Sequence, residues 1–396
     1  RNPTQMLAYF EDKDNINRFL TSLTGSYQIV KGLTYKVVFG YDMVNTERTA
    51  FADPRLGANA YGGTVSYSVP NGPSENLNNP IFGNGRTTRQ NNELRSTLLE
   101  QYLTWDKEIE KHSINLVGGY SYQSFQNEYS QRVGWGLNIP VVNPNDVFVK
   151  DFNNFKNYRD LFPGFDKNEL QSFFGRANYS YDDRYFLTAT VRVDGSSKFG
   201  ANNRYATFPA FAAKWKISNE KFAETNIGKW FSDFSVRANY GIIGSQDGLS
   251  SYGAVRLGFA YPAFNNNPAG NAFQQDENPD LRWEQAATTG VGLDFTTKDN
   301  RLSVTLDYFY TQRKDLLFFA PTPGGFSATS NWFINLPGEV INKGIEFSAN
   351  YKVIRGKKFS WEVNYNMTSV TNEFRNLPNP IITGAVSGQG LTGAFA

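Results

Sequence analysis

The chain has 396 residues, with 39 Lys and Arg against 37 Asp and Glu, and the two signs are interspersed. No clustered basic surface for nucleic acid is indicated. The complete absence of cysteine excludes disulfides, zinc–thiolate sites and thiol nucleophiles. The mean hydropathy is −0.49, and no apolar run approaches the roughly 20 residues that a membrane helix needs. The chain is therefore predicted to be either soluble or a β-barrel, because only helices and closed barrels satisfy their backbone polar groups in lipid.

Apolar and polar residues alternate strictly in many stretches, which predicts roughly a dozen strands. Each stretch has about ten residues, the length of a tilted membrane strand, whereas strands of soluble domains average about five or six. In the later strands, Leu306 and Ala349 are expected to face outward and Ser348 to face the lumen. The regular stretches are 33–43, 173–181, 185–193, 205–217, 234–242, 302–310, 345–353 and 359–367, and less regular ones are 16–29, 94–106, 112–125 and 286–297.

The joints between these stretches alternate between short and long. Barrels of the outer membrane have tight turns on one side and long extracellular loops on the other. The sequence therefore predicts an all-β, transmembrane antiparallel β-barrel. Short joints are predicted at 29–32, 106–112, 181–185, 297–301 and 353–358, and long polar segments at 45–90, 126–168, 244–280 and 316–338.

One joint has a distinctive amino-acid sequence. Residues 194–204 read DGSSKFGANNR and are followed by Tyr205, a further residue and TFP. This segment resembles the SusC/RagA-like TonB-dependent transporters of the Bacteroidota outer membrane. Further blocks similar to that family, in order, are RANYGIIGSQDGLSSYGA at 237–254, NPDLRWEQAATTGVGLDF at 278–295, RLSVTLDYFYTQRKDLLF at 301–318 and GEVINKGIEFSANYKV at 338–353.

The resemblance implies the function and the partners. It implies that residues 1–396 are a fragment of a 22-stranded barrel whose lumen is closed by a plug domain. The plug domain, the TonB box and the C-terminal strands of the family are not recognisable here. It further implies TonB-driven import of an oligosaccharide or peptide, with a SusD-like surface lipoprotein covering the mouth and no cofactor. A passive porin-like or structural barrel is the alternative, and a soluble carbohydrate-binding protein is another.

Residues that could carry chemistry are sparse. His112 is the only histidine, so a catalytic triad or a two-histidine metal site has little to build on. It falls at a predicted short turn, and an outer-membrane hydrolase would need it there together with a serine. Asp182, Asp183 and Asp194 lie in separate joints without the spacing of a calcium loop, so they are interpreted as polar barrel rims. The chain is predicted not to be an enzyme.

Aromatic residues of the long segments are the candidates for ligand binding. Rings with Asn, Gly and Ser neighbours combine apolar contact with hydrogen bonds, as sugar-binding and peptide-binding surfaces do. The alternative is that these rings pack the segments together or against the lipoprotein. Trp283 is instead expected in the aromatic girdle at the membrane interface. The six candidates for ligand or lid contact are Tyr61, Trp135, Tyr158, Tyr261, Phe326 and Trp332.

Overall fold

A computed structural model describes the backbone of most of the chain, and it consists almost wholly of strands. The described residues are 10–52, 86–137, 155–223, 227–261, 270–321, 331–377, 381–382 and 394–395. Their strands are β1 Phe10–Val30, β2 Leu33–Ala52, β3 Arg86–Ile109, β4 His112–Leu137, β5 Phe155–Tyr181, β6 Tyr185–Ser196, β7 Tyr205–Lys216, β8 Phe231–Ser245, β9 Leu257–Tyr261, β10 Gly270–Gln275, β11 Glu284–Thr297, β12 Leu302–Pro321, β13 Asn331–Arg355, β14 Ser360–Arg375, β15 Ile381–Ile382 and β16 Ala394–Phe395.

Within the described residues, β1 to β14 form a single sheet in which most strands pair with their neighbours in the chain. The order runs from β1 to β8 and continues through β11, β12, β13 and β14, with every pair antiparallel. The β9–β10 hairpin joins the sheet by one parallel pairing, Gln275 with Asn331. The meander follows from the short joints, because tight turns can only connect antiparallel strands.

The register between strands keeps the apolar and polar positions on separate faces. Leu306 lies opposite Leu293 and Phe347, and Leu293 lies opposite Val236, so these residues form one apolar row. Ser348 lies opposite Thr305 in a polar row. Because directly opposed residues share a face of the sheet, the alternation in the sequence is preserved across the whole wall.

The short joints are confirmed. Turns occupy residues 31–32, 110–111, 182–184, 298–301 and 356–359. Gly32 has φ 86°, and a Cβ there would lie 2.4 Å from the Asp106 carbonyl oxygen, so this turn requires glycine. The joint between β7 and β8 is longer and contains a 3-10 turn, Ile217–Asn219, and a short α-helix, Ile227–Trp230. No helix among the described residues is long and apolar enough to cross a bilayer.

The long segments are shorter than predicted, because strands continue into them. β1 to β5 have 20 to 27 residues, whereas β6, β7, β8 and β11 have 12 to 15. About 9–11 residues suffice to cross a bilayer. The additional residues do not keep a strict apolar–polar alternation, so the pattern does not identify them as strand in the sequence. The prediction of irregular structure is therefore wrong for 45–52, 86–90, 126–137, 155–168, 257–261, 270–275, 316–321 and 331–338.

A buried hydrophobic cluster lies at the end of the sheet that carries the long segments. Its buried members are Phe199, Phe208, Leu249, Ala254, Leu281 and Trp283. Trp283 is only 4% exposed, its ring centroid is 4.6 Å from that of Phe199, and its Nε1 donates to the Arg204 carbonyl oxygen at 3.2 Å. The expectation that Trp283 belongs to a membrane-interface girdle is therefore wrong. Trp283 packs against residues that are distant in the sequence, so the local pattern around it does not reveal these contacts.

A second packed region lies at the opposite end, among the short turns. Glu220 is 6% exposed and accepts hydrogen bonds from Tyr185 Oη at 2.5 Å, Trp215 Nε1 at 3.0 Å and Arg184 Nη1 at 3.1 Å. His112, Tyr181, Tyr185 and Trp215 form a row of rings with centroid distances of 4.8, 6.4 and 6.5 Å. Rings with polar tips are typical of the membrane–water boundary, so this row marks that boundary on the short-turn side.

Candidate luminal binding surface

Charged side chains in the middle of the sheet identify the face that cannot meet lipid. Arg237 of β8 donates to Asp294 at 3.0 Å and to Asp307 at 2.7 Å. Lys214 of β7 approaches Asp294 at 3.9 Å. A charge at mid-depth on the lipid side of a barrel costs about 2–4 kcal/mol, so this polar face must line the lumen. The opposite face, with Leu306 and its row, meets lipid.

Much of the polar face between β4 and β7 is already hydrogen-bonded to itself. Asn178 donates to Asn115 at 2.9 Å and accepts from Thr188 at 2.9 Å. Arg192 donates to Asp194 at 2.6 Å and to Ser172 at 2.8 Å. These groups are paired with one another within and between strands, so they have little capacity left for a ligand.

A concave site with unused polar groups lies further along the same face, where β2, β3, β4 and β5 run side by side. We name it the β2–β5 pocket. Its volume is about 370 Å³, within the lower range for small-ligand sites, about 300–1,000 Å³. Its walls are Asp42 and Val44 of β2, Leu94, Arg95 and Ser96 of β3, Phe125, Gln126 and Asn127 of β4, and Asp166 and Asn168 of β5.

Two rows of directly opposed residues build this pocket. One row pairs Asp42 with Ser96, Ser96 with Phe125, and Phe125 with Asn168. The adjacent row pairs Val44 with Leu94, Leu94 with Asn127, and Asn127 with Asp166. Each row therefore combines apolar side chains with carboxylate, hydroxyl or amide groups.

The polar groups of the β2–β5 pocket differ in whether they have protein partners. Asp42 forms a two-pronged ion pair with Arg18 of β1, at 2.8 and 2.9 Å. Asn168 donates to Ser251 Oγ at 3.1 Å. Asn127 Oδ1 is buried and accepts no hydrogen bond in the described part of the chain. Asp166 is exposed and has no ion pair among the described residues. Asn127 Oδ1 is therefore the one buried acceptor of the pocket that has no donor among the described residues.

Two other concave sites open on the outer face and do not reach the lumen. One, of about 630 Å³, lies beyond the apolar belt and is lined by charged pairs such as Arg89 with Glu47 at 3.5 Å. The other, of about 650 Å³, lies within the apolar belt and is lined by Ala177, Ala189, Ala213 and Ala238. In a barrel this second groove meets acyl chains.

The six predicted contact residues remain predictions. Tyr61 and Phe326 lie outside the described residues. The backbones of Trp135 and Tyr158 lie on the neighbouring strands β4 and β5, where Gly134 is opposite Tyr158. Tyr261 ends β9, and the half-buried Trp332 is the second residue of β13, opposite Ala320. Pattern reasoning missed Asp42, Phe125, Asn127 and Asp166, because each occupies an ordinary position in a strand. The one signal in the sequence is Phe125, an aromatic residue at a position of β4 where the alternation predicts a polar side chain.

His112 and the aspartates occupy structural positions. His112 begins β4, and its Nδ1 lies 2.8 Å from Tyr179 Oη. Asp182 binds Lys111 at 2.9 Å and also pairs with Arg184, while Asp183 pairs with Lys216 at 3.2 Å. No group of three or more His, Asp or Glu side chains within the described ranges could hold a metal ion.

Comparisons with known proteins agree on one family. The model of the family described as "TonB dependent receptor-like, beta-barrel" matches residues 2–393. TonB-dependent receptor P3 of Formosa agariphila is 30% identical over 381 residues, which cover 96% of this chain and 35% of that protein. TonB-dependent receptor SusC of Bacteroides thetaiotaomicron is 28% identical, over 95% of this chain and 35% of that protein. A structure of the RagAB peptide transporter aligns with a TM-score of 0.76 at 22% identity, over 94% of this chain and 38% of that one. The chain thus spans about a third of the length of these relatives.

Proposed function

Because the chain belongs to the TonB-dependent receptor β-barrel family, we propose that it forms part of the wall of an outer-membrane transporter that imports a nutrient actively. The observation that carries the proposal is the division of one continuous sheet into an apolar face and a polar face. The charged group of Arg237, Asp294 and Asp307 lies on the polar face. Such a wall surrounds an aqueous path across the bilayer.

The proposed cargo is an oligosaccharide or a peptide, moved without chemical change. Relatives named SusC and RagAB support this proposal, since the solved RagAB complexes are described as a peptide importer. The proposed partners are a SusD-like lipoprotein at the mouth and TonB, acting through a plug and a TonB box in the rest of the protein. The chain itself is proposed to be barrel throughout, residues 1–396, and to have no enzymatic role.

Energy dependence separates this proposal from a passive pore. The transporter that contains this chain is expressed in an outer membrane, and uptake of labelled oligosaccharides and peptides is followed with and without a protonophore. We expect uptake that stops when the proton gradient collapses or when TonB is deleted. Uptake that continues under both conditions would contradict active import and favour the porin-like alternative.

A further inference from the structure

We propose that the joint between β7 and β8 binds an acidic glycerophospholipid of the periplasmic leaflet, with two lysines at its phosphate and two aromatic side chains among its acyl chains. The described residues of this joint are 217–223 and 227–230. The inference needs the barrel but not active import. It depends on three observations: the joint folds onto the lipid-facing side, it exposes aromatic side chains there, and its lysines have no ion-pair partners among the described residues.

The register between strands shows on which side of the wall the joint lies. Tyr185 lies opposite Trp215, and Trp215 lies opposite Val236, a member of the apolar row that meets lipid. Since directly opposed residues share a face of the sheet, both rings lie on the lipid side. Glu220 of the joint accepts hydrogen bonds from Tyr185 Oη at 2.5 Å and Trp215 Nε1 at 3.0 Å. The joint therefore folds against the lipid-facing side of the wall, at its short-turn end.

Hydrogen bonds hold both described parts of the joint against neighbouring turns. Asn219 Nδ2 donates to the Asp183 carbonyl oxygen at 2.8 Å. The backbone N–H of Lys298 donates to the Trp230 carbonyl oxygen at 2.8 Å, and Lys298 Nζ donates to the Gly228 carbonyl oxygen at 3.0 Å. The side chains of the joint therefore form a defined surface at the membrane boundary.

Two aromatic side chains of the joint are exposed. Trp230 is 73% exposed, more than any other large apolar side chain in the described ranges, and Phe222 is 58% exposed. The next residue, Phe231, contacts Phe234 and Phe295, with ring centroids 5.7 and 5.6 Å away. Phe234 and Phe295 are each two positions from a member of the apolar row, so they also face lipid. The exposed rings thus continue the lipid-facing surface to the depth where tryptophan is enriched.

Each of these rings follows directly after a lysine. Lys221 and Lys229 are exposed, and neither forms an ion pair with a residue that the structure describes. The carboxylates of Glu220 and Asp183 are already paired with other cations, at 3.1 and 3.2 Å. The two lysines therefore leave a local excess of positive charge. A lysine stem can lie along apolar surface while its ammonium group reaches the headgroup level and binds phosphate.

An acidic glycerophospholipid matches both halves of this surface. Its phosphate would pair with the lysines, and its acyl chains would cover the rings. Free phosphate would leave the rings exposed, and a purely apolar partner would leave the lysines unpaired. The short turns of such barrels lie on the periplasmic side, which assigns the lipid to the periplasmic leaflet. A headgroup with net negative charge is favoured over a zwitterionic one, because basic residues attract anionic lipid surfaces.

The test uses the purified full-length transporter, reconstituted with equal amounts of phosphatidylglycerol and phosphatidylcholine and then extracted in mild detergent. Native mass spectrometry counts the lipids that stay bound to wild type and to the double variant Lys221→Gln/Lys229→Gln. The matched control is Lys31→Gln/Lys107→Gln, because these lysines are also exposed at the short-turn end but belong to the first turn and to β3. Heat-modifiable migration in gels verifies that each variant is folded.

A second measurement locates the Trp230 ring. Tryptophan emission of wild type and Trp230→Phe is compared in vesicles with and without brominated phosphatidylglycerol. The difference between the two proteins is the emission of Trp230, and we expect brominated lipid to quench it. Emission of Trp230 that brominated lipid does not quench would overturn the inference and would favour a protein as the occupant of this surface.

We expect wild type and the control to retain phosphatidylglycerol in preference to phosphatidylcholine, and the Lys221→Gln/Lys229→Gln variant to lose this retention by roughly tenfold or more. Equal retention by this variant and wild type would contradict the inference. Equal retention of the two lipids by wild type, or an equal loss in the control, would contradict it as well. None of these measurements depends on uptake, so a finding of passive transport would leave this inference intact.

Discussion

At the scale of single residues, the side of the sheet on which a side chain lies determines what it tolerates. Leu306 and Ser348 belong to adjacent strands and differ in face: Leu306 is in the lipid-facing row and Ser348 in the luminal row. The alternation in the sequence is enough to assign each residue to the correct face. Successive residues of a strand point to opposite sides of the sheet, and the register between strands preserves this order. A charge therefore has a different free energy at these two positions although they are close in space.

This difference is measurable by substitution. We expect Leu306→Arg to lower the free energy of unfolding by about 2–4 kcal/mol, because the guanidinium would lie in hydrocarbon. Ala349→Arg should behave similarly. Ser348→Arg should be tolerated, since its side chain reaches the aqueous lumen. Urea unfolding of the barrel in lipid vesicles measures all three, and equal effects at Leu306 and Ser348 would show that the faces are assigned wrongly.

Glu220 provides a residue-scale prediction that depends on pH. Hydrogen bonds from Tyr185, then Trp215, hold the pKa of its carboxyl below the ordinary value of 4.5. A carboxyl with a lowered pKa stabilises the fold above its unfolded pKa, and the stabilisation disappears as the pH falls through the folded value. Glu220→Gln should therefore lower the melting temperature at neutral pH, and the difference from wild type should shrink progressively below about pH 4.5.

The control for this measurement is Glu108→Gln, which changes an exposed carboxyl near the end of β3. It should leave the melting temperature close to that of wild type across the same range. A difference between Glu220→Gln and wild type that is constant from neutral to acidic pH would contradict a role for the ionised carboxylate at the short-turn end.

At the scale of elements, the strands that cross the bilayer could be predicted from the sequence, while their extensions and the loop packing could not. Residues 185–193 alternate because one face meets lipid, and this signal is local. In contrast, 126–132 is polar at nearly every position and carries no alternation. Trp283 shows a further limit, since its partners Phe199 and Arg204 lie about 80 positions earlier in the chain. For the same reason the β2–β5 pocket, built from four strands, was not visible in any one of them.

The loop after β6 depends on a close approach between two family-like segments. A Cβ at Gly200 would lie 2.1 Å from the Pro279 carbonyl oxygen, and Asn203 donates to the Asp280 carbonyl oxygen at 2.9 Å. We expect Gly200→Ala to separate these segments and to loosen the Trp283 cluster. The near-ultraviolet circular dichroism of tryptophan should weaken and proteolysis within 196–204 should accelerate.

Gly118→Ala is the matched control for that substitution, because an added Cβ at Gly118 meets no atom within 4 Å. It should leave both the spectrum and the proteolysis pattern unchanged. Because the bilayer-crossing strands do not depend on the cluster, Gly200→Ala should also leave the heat-modifiable migration of the barrel unchanged. Loss of that migration would mean that the loop cluster is required for barrel formation.

At the scale of the whole molecule, the long strands β1 and β14 lie at two edges of the described sheet that a barrel cannot leave open. β1 pairs only with β2, and β14 pairs only with β13, among the described residues. Unpaired backbone groups within a bilayer are costly, and closed barrels leave none. We expect that in the intact transporter both edges pair with further strands.

Hydrogen exchange tests this expectation. In the intact transporter, amides of β14 that do not bond to β13 should exchange slowly, like those of the central strand β4. The turn at residues 110–111 provides the comparison for a solvent-exposed segment. Exchange of these β14 amides as fast as that turn would show that the edge is open in the membrane.

The great length of β1 to β5 has an energetic consequence for recognition. Their outer residues, such as those after Phe125 in β4, are fixed by ladder hydrogen bonds to two neighbouring strands. Binding surfaces made of irregular loops must lose conformational entropy when a ligand arrives, which reduces affinity. On this wall that entropy has already been lost during folding. A ligand that contacts the β2–β5 pocket therefore meets a preorganised surface, and the length of the strands contributes to affinity without adding a single contact.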